Sequence, residues 1–342
     1  MPSPVVLTVV AGSPNDGVRR FGALTAAARD ATGAPSPLLV LDESSPGGPA
    51  GRVVGCDLVH LHLNDRLFDE DPVRWLEVVE AARAHGRPVA MTLHDVPGDE
   101  EGVQRCARRR VAQRRLAELA DVVVVSSEHE RSRAALAGID AHVVPHPVFA
   151  AASVGAPRPA RTPRTIVVAG FVHPGKGVAE LLDSLDDVTG SVLAGWSLRL
   201  VGGVTDAHRD HLDDLRQRAL RAGLGFEFTG AVSTRRWDAE LRRGAIPVAP
   251  HSYCSASGSI LSWCGLGRRP LVSDHGFARE IASERPGAVE IVGGDGWRRA
   301  LERCVIGRDP RSFDPSGWRT PAASVAALDR IVTGVLASSS VA

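Results

Sequence analysis

Apolar residues occur along the chain in short runs, and most runs lead through a turn into apolar residues at helical spacing. Such a run bounded by glycine, proline or polar residues predicts a buried β-strand, whereas apolar spacing of three and four predicts a helix. The first half has runs at residues 5–10, 38–41, 57–62, 88–93 and 122–125, and the second at 165–169, 197–203, 226–230, 246–250 and 270–274. Because strands and helices alternate through short connections, the pattern predicts parallel, doubly wound sheets.

The two halves are separated by a segment without any apolar period. Residues 151–164 consist mostly of Ala, Gly, Pro, Arg and Thr, which is typical of a linker. We therefore predict an α/β protein with two Rossmann-like domains facing a cleft, residues 1–155 and 156–320. The remaining segment, residues 321–342, has a helical pattern and is predicted to pack back on the N-terminal domain. A chain of 342 residues is long enough for two α/β domains of ordinary size.

The most informative turn follows the strand at 165–169, where Gly170, Gly175 and Gly177 surround Lys176. A glycine-rich turn between strand and helix brings backbone N–H groups and a helix N-terminus to a bound anion. Lys176 is the single lysine in a chain whose lysines and arginines total 40. A compact ammonium suits a phosphate group in such a loop. The alternative is a solvated lysine at a helix start, where a cation opposes the helix dipole.

Polar residues also follow the strands of the N-terminal half. The turn from Gly12 to Gly17 follows the first strand and suits close approach of backbone to a ligand, although its spacing is not that of a dinucleotide-binding loop. His62, His94 and Ser127 stand at the carboxyl ends of later strands, where doubly wound sheets bind ligands. A single histidine there is more often structural, but several polar strand ends at one edge predict a site.

Composition excludes several classes of protein. The formal net charge is zero and the pI is about 7.2, which argues against nucleic acid or an anionic membrane as the main partner. The densest arginine run, residues 108–115, has helical spacing and indicates a solvated helix face. The five cysteines form no C-x-x-C pair and indicate reduced thiols, not disulfides or zinc ligands. No signal peptide or membrane-spanning run is apparent, so we expect a cytoplasmic protein.

Taken in order, these segments resemble a known family. The matching landmarks are residues 57–62, 92–95, 125–131 and 144–146 in the first half, and residues 170–177, 228–230, 250 and 270–280 in the second. With these landmarks the chain resembles a GT-B glycosyltransferase of family 4, the retaining enzymes that use nucleotide sugars. The resemblance spans nearly the whole chain. Each motif is modest alone, and their order and spacing together are specific.

The resemblance implies a function and a set of site residues. A nucleoside diphosphate would bind the C-terminal domain and an acceptor the N-terminal one, with no metal and no cofactor besides the donor. Lys176 would stabilise the leaving diphosphate, and His94 would contact the donor sugar or help to hold the acceptor. The implied donor-binding residues are Gly12, Gly17, Phe171, Lys176, Tyr253, Cys254, Ser257, Gly258, Ser259 and Ser262, and the acceptor-side residues are His62 and Ser127. The acceptor would be a small molecule, glycolipid or glycan, and a homodimer is compatible.

Two telling motifs of the family differ here. Phe171 replaces an arginine of the phosphate loop, and Cys254 and Ser262 fall where the family has a Glu-x7-Glu pair. Arg235, Arg268 or Arg279 could supply the missing guanidinium. Our hypothesis is an active transferase with altered donor recognition, and the alternative is an inactive relative that binds nucleotide or assists an active partner. A dehydrogenase is disfavoured because the chain lacks a G-x-G-x-x-G fingerprint followed by an acidic residue, and no landmark of the UDP-sugar epimerases is present.

Overall fold

A computed structural model describes residues 3–14, 16–41, 50–149, 164–185, 188–294, 296–307 and 311–339 of the protein. The chain divides into two compact units, one formed by Met1–Pro147 with Arg319–Ala342 and the other by Val148–Trp318. The predicted linker, residues 151–164, lies almost wholly outside the described residues. Each unit contains a six-stranded parallel sheet, which confirms the fold class predicted from the alternation of strands and helices.

The first unit has a doubly wound sheet with one reversal of strand order. Its strands are β1 (Val6–Ala11), β2 (Leu38–Leu41), β3 (Leu58–Leu63), β4 (Val89–Leu93), β5 (Val122–Val125) and β6 (His142–Val143). The helices between β1 and β6 are α1 (Gly17–Asp30), α2 (Ala50–Val53), α3 (Asp65–Glu70), α4 (Pro72–Ala84), α5 (Val103–Ala117) and α6 (Glu128–Leu136). The strand order β2-β1-β3-β4-β5-β6 reverses between β1 and β3. Ligands of such sheets bind outside the carboxyl ends of the strands at the reversal.

The second unit has the strand order of the dinucleotide-binding Rossmann fold. Its strands are β7 (Thr165–Ala169), β8 (Ser197–Val201), β9 (Gly225–Phe228), β10 (Ile246–Ala249), β11 (Leu271–Ser273) and β12 (Glu290–Val292). Its helices are α7 (Val178–Asp183), α8 (Arg209–Arg221), α9 (Thr234–Arg243), α10 (Gly258–Gly265), α11 (Gly276–Glu284) and α12 (Trp297–Ile306). The order β12-β11-β10-β7-β8-β9 reverses between β7 and β10. The loops that follow these two strands therefore meet at the predicted binding edge.

The last helix, α13 (Pro321–Ser339), belongs to the first unit, as predicted. Leu328 and Val332 are buried against Val6 and other apolar side chains of that unit's sheet. Nε of Arg29, a side chain that is 1% exposed, donates to Asp329 at 2.7 Å. Helix α13 therefore covers one face of the first sheet through apolar contacts, and the Arg29–Asp329 ion pair joins it to α1. No helix in the described ranges is long and apolar enough to cross a bilayer.

Candidate functional site

Lys176 lies at the reversal of strand order in the second unit. Its loop leaves β7 at Gly170, forms a short 3₁₀ turn over Pro174–Lys176, and enters α7 after Gly177. The ammonium Nζ lies 2.9 Å from Nε2 of His251, which comes from the segment after β10. Since β7 and β10 are neighbours in the sheet, strand pairing brings together two residues 75 positions apart.

The glycines of this loop allow contacts that no side chain would permit. A Cβ on Gly170 would lie 2.5 Å from Nζ of Lys176, and one on Gly175 would lie 2.4 Å from the ring of Tyr253. At Gly177, whose φ is +67°, a Cβ would lie 1.7 Å from the carbonyl oxygen of Pro250. The loop therefore packs directly on the segment after β10, and this contact fixes the position of Lys176.

The start of α10 lies beside the same ammonium. Nζ of Lys176 donates to Oγ of Ser259 at 3.5 Å, and Oγ of Ser259 lies 3.0 Å from Oγ of Ser257. Ser257 is the N-cap of α10, and its hydroxyl accepts from the backbone N–H of Ile260. Gly258, the first residue of the helix, is exposed. The structure thus brings together an ammonium, two hydroxyls and a helix N-terminus, all of which favour a bound anion.

The remaining predicted donor residues have different surroundings. Phe171 is 37% exposed, and a Cβ on Gly203 would lie 3.0 Å from its ring. Ser262 is half-buried, and its hydroxyl donates to the carbonyl of Gly258 in its own helix at 2.7 Å. Cys254 is 7% exposed, in the connection that leads to α10. The hydroxyl of Ser262 is thus used within the helix.

The arginines considered as replacements for the missing guanidinium have other partners. Arg268 is buried and donates to the carbonyls of Leu241, Gly244 and Ala245. Arg279 is largely exposed and pairs with Asp274 at 2.7 Å. The side chain of Arg235 lies outside the described residues. The guanidinium groups of Arg268 and Arg279 thus already bind protein oxygens. Lys176 is the cation that the loop itself supplies.

His251 is the residue of this site that the sequence analysis did not select. Burial, and then the ammonium of Lys176, holds the pKa of His251 well below its ordinary value of 6.5. The ring is therefore neutral at physiological pH, and Nε2 accepts a hydrogen bond from the ammonium. Its sequence signal was a polar residue just after an apolar strand, the same signal that selected His62 and His94.

In the first unit, the predicted histidines meet around an aromatic side chain. His62, on β3, is fully buried, and its Nδ1 lies 3.3 Å from Nε2 of His94, which follows β4. The ring of Phe21 on α1 contacts both, with centroids 5.5 Å and 5.1 Å away, and contacts His146 at 4.6 Å. Deeper in the sheet, Nε2 of His60 bonds the hydroxyl of Thr92 at 2.7 Å. His62 and His94 are thus brought together as predicted from their strand ends.

The residue after His94 is held in an uncommon backbone conformation. Asp95 has a φ of +56°, in the left-handed region that non-glycine residues rarely adopt. Its carboxylate accepts from Asn64 at 2.6 Å, and its carbonyl accepts from Arg109 at 2.7 Å. Arg109 also pairs with Asp65 and is 17% exposed, so the prediction that the arginine run is a solvated helix face is wrong at this position. These contacts hold the backbone at Asp95 and thereby fix the position of the neighbouring His94.

The other predicted residues of the first unit lie in the turn after β1 and at the starts of α1 and α6. The carbonyl of Gly12 accepts from Arg19 at 2.7 Å, and Gly17 is the first residue of α1. Asp16 caps this helix by accepting from its first backbone N–H groups. Ser127 is fully buried and caps α6 through a 3.0 Å bond from the N–H of Glu130. The hydroxyl of Ser127 thus stabilises the start of α6.

His60, His62, His94 and His146 of the first unit are neutral at physiological pH. Burial lowers the pKa of His94 to about 4, partly offset by Asp16. Burial likewise lowers the pKa of His146 to about 4, although its bond to the Pro147 carbonyl opposes this. The pKa of His60 is lowered to about 3, again chiefly by burial. A neutral imidazole at a strand end can accept a proton or a hydrogen bond from a hydroxyl group.

We expect the first unit to lose stability as the pH falls from 6.5 to about 4. In this window the unfolded chain binds protons that folded His94 and His146 do not bind, so the free energy of unfolding falls by on the order of 1–3 kcal/mol per histidine. Thermal unfolding between pH 7 and pH 4.5 measures the loss. The variant His146→Gln should show a shallower pH dependence of the melting temperature than the wild type, because it removes one of the buried groups that resist protonation. Equal slopes for His146→Gln and wild type would contradict the assignment.

Solved structures with the same fold cover nearly the whole chain. HepE of Anabaena, in complex with UDP and glucose, aligns over 98% of this chain and 100% of its own, with 14% identity and a TM-score of 0.67. Sucrose-phosphate synthase of Thermosynechococcus elongatus aligns over 98% and 100%, with 15% identity and a TM-score of 0.66. The lipopolysaccharide outer core galactosyltransferase WaaB aligns over 96% and 99%, with 12% identity and a TM-score of 0.61.

These similarities establish the fold of the chain. Two parallel six-stranded sheets with flanking helices, together with these neighbours, identify the GT-B fold. No protein-family model matches the sequence, and no curated protein matches it.

Proposed function

We propose that the protein is a glycosyltransferase that moves a sugar from a nucleoside-diphosphate sugar to an acceptor. The observation that carries this proposal is the position of Lys176, whose ammonium lies at the strand-order reversal of the second unit, beside His251 and the first turn of α10. The GT-B fold and the resemblance of the sequence to family 4 support the same reading. We further propose that transfer retains the anomeric configuration and needs neither a metal nor another cofactor.

The chemistry of transfer explains why an ammonium would be placed there. As the bond from sugar to diphosphate breaks, negative charge grows on the diphosphate oxygens, and groups already aimed at that charge stabilise the transition state most. Lys176 supplies a point charge, and the start of α10 supplies backbone N–H groups and a favourable dipole. The hydroxyls of Ser257 and Ser259 add neutral hydrogen-bonding groups at the same place.

The donor and acceptor can be described by class. The solved HepE structures contain UDP or UDP-glucose, which supports a nucleotide hexose as the donor of this chain. We propose that the acceptor, a small molecule, glycolipid or glycan, binds the first unit near His62 and His94. A neutral His94 with a lowered pKa can accept a hydrogen bond from an acceptor hydroxyl without carrying a charge.

One observation favours a second candidate, an inactive relative that binds nucleotide and assists another transferase. Cys254 and Ser262 stand where the family has two glutamates, and the hydroxyl of Ser262 is bound to the Gly258 carbonyl. A glutamate at either position would accept hydrogen bonds from sugar or ribose hydroxyls. Without these carboxylates, the chain would have to recognise donor hydroxyls with neutral groups.

A thermal-shift panel with UDP, GDP, ADP, TDP, CDP and NAD tests the proposal. A ligand at a hundredfold excess over its dissociation constant stabilises the folded protein by about 2.7 kcal/mol. We expect one nucleoside diphosphate to raise the melting temperature and its hexose conjugates to be turned over with an acceptor or water. Stabilisation without turnover of any donor would support the inactive relative. No shift with any nucleoside diphosphate would contradict both candidates, and a shift with NAD alone would indicate a dehydrogenase.

A further inference from the structure

We propose that His251, Cys254 and His275 bind a transition metal ion of the zinc class beside Lys176. One ring nitrogen of each histidine and Sγ of Cys254 all lie within 4.8 Å of one another. Within the described part of the chain, this is the single group of three or more histidine, cysteine or acidic side chains that meets this distance. The site goes beyond the proposed transferase function. It differs from the prediction made from the sequence, in which the absence of a C-x-x-C pair argued against zinc ligands.

The fold brings the three side chains together at the carboxyl ends of two neighbouring strands. His251 and Cys254 follow β10, and His275 follows β11 as the N-cap of α11. Strands β10 and β11 pair in parallel, so both connections leave the sheet at the same edge. His251 and Cys254 are buried, and His275 is half-buried. Two ligands are thus held in the protein interior, and the third closes the site from the solvent side.

A buried nitrogen without a hydrogen bond points to a missing ligand. His251 is 5% exposed, and its Nδ1 has no hydrogen-bond partner among the described residues. Its other nitrogen, Nε2, faces Lys176 at 2.9 Å. A buried polar atom left without a partner is destabilising, and coordination of a metal by Nδ1 would satisfy it.

The donor set selects the class of metal. Imidazole and thiolate ligands favour zinc, cobalt, nickel and copper over magnesium, calcium and manganese. In a tetrahedral zinc site, neighbouring ligand atoms lie about 3.3–3.7 Å apart, given bonds of about 2.0–2.3 Å. The side chains therefore need to approach one another by about 1 Å. Cys254 would coordinate as a thiolate and release its proton to solvent, and water would fill the fourth position.

Metal binding and the Lys176 contact exclude each other. A metal on Nδ1 of His251 leaves the ring proton on Nε2, which can then no longer accept a hydrogen bond from the ammonium. A metal on Nε2 of His275 would likewise place the ring proton on Nδ1, which now accepts from the N–H of Ala278 at 3.1 Å, so this capping hydrogen bond would be lost. We therefore infer an exchangeable ion, weakened by Lys176. If the proposed function holds, a bound diphosphate that draws Lys176 away would strengthen metal binding.

The first experiment uses metal alone on the purified full chain after treatment with a chelator. Zinc is titrated in competition with a chromogenic chelator, and cobalt is added in parallel to observe the thiolate-to-cobalt absorption and the visible bands of a tetrahedral ion. We expect one ion per chain and a thiolate band. Cys254→Ser should remove the band and weaken zinc binding at least tenfold. Cys304 is a buried cysteine of the same unit, 8% exposed. Cys304→Ser should leave the thiolate band and the zinc affinity unchanged.

Two further variants keep the test decisive. His275→Asn retains an oxygen that can cap α11 but removes the coordinating nitrogen, so it should weaken zinc binding at least tenfold while the protein stays folded. Lys176→Met should tighten zinc binding at least fivefold, because it removes the competing hydrogen bond and a positive charge. Absence of stoichiometric binding, or wild-type zinc affinity in folded Cys254→Ser and His275→Asn, would overturn the site. Unchanged or weaker zinc binding by Lys176→Met would contradict the inference that the Lys176 ammonium weakens metal binding. None of these measurements uses a nucleotide, so their outcome is independent of the proposed function.

Discussion

Lys176→Met is expected to lower turnover of the sugar donor about 10²–10³-fold, the usual effect of removing one preorganised group that stabilises developing charge. Methionine keeps the length and apolar stem of the side chain but removes the ammonium that lies beside His251 and Ser259. Because charge on the diphosphate grows most in the transition state, we expect kcat to fall more than donor affinity. Steady-state kinetics with the nucleotide sugar identified by the thermal-shift panel measures both.

Two companion variants separate charge from position. Arg209 is a cation of the same unit that pairs with Asp206 and is 69% exposed. Arg209→Met should therefore leave turnover unchanged. Gly170→Ala retains the lysine but places a methyl group where the ammonium now lies, at a φ of +115° that favours glycine. It should therefore reduce turnover through displacement of Lys176. Full activity of Lys176→Met would remove the central support for the proposed transferase.

Gly177→Ala is expected to destabilise the second unit by about 3–5 kcal/mol. The new methyl group would lie 1.7 Å from the carbonyl oxygen of Pro250, and the backbone at Gly177 has a φ of +67°. Relief of this overlap requires the loop after β7 to separate from the segment after β10, and this separation would break the Lys176–His251 contact as well. Chemical denaturation monitored by tryptophan fluorescence gives the free energy of unfolding, and the thermal-shift panel gives nucleotide binding.

The chain provides a matched control for the backbone part of this effect. Gly230 has the same φ of +67°, and a Cβ there would meet no atom within 4 Å. Gly230→Ala should therefore show only the cost of a left-handed alanine, about 1–2 kcal/mol, and should retain nucleotide binding. The difference between the two variants measures the overlap with Pro250. If both lose the same stability, the close packing at Gly177 does not hold the loop in place.

Much of the fold follows directly from the pattern of apolar residues. Parallel strands covered by helices on both faces are apolar along most of their length, so β1 and β7 appear in the sequence as nearly continuous apolar runs. Strand β3 shows the same pattern but carries His60 and His62 among its leucines and valine. The C-terminal helix was also predictable, because its apolar positions recur with helical spacing. By contrast, α3 and α9 were not predicted. Helix α3 has six residues, and α9 has three apolar residues among its ten, so neither provides a long series of apolar positions at helical spacing.

The candidate site was predictable only in part. Lys176 stands out because it is the single lysine in the chain and lies among glycines, and His62 and His94 stand out because they follow apolar strands. His251 also follows a strand, but nothing in its local sequence shows that it contacts Lys176. The contact depends on the pairing of β7 with β10, strands that are not consecutive in the chain. The environment of Arg109, an ion-paired side chain within an arginine-rich helix, likewise depends on the distant Asp65.

Most of the strands, the longer apolar helices, the fold class and the glycine-rich loop with its one lysine follow from the sequence alone, because strand burial, helix periodicity and turn chemistry are local properties of the chain. Which strand ends meet depends on the tertiary structure. The order of strands in each sheet places Lys176 beside His251, places His251 near Cys254 and His275, and places His62 beside His94. These pairings bring together residues distant in the chain, and strand order, burial and side-chain packing over the whole unit select them.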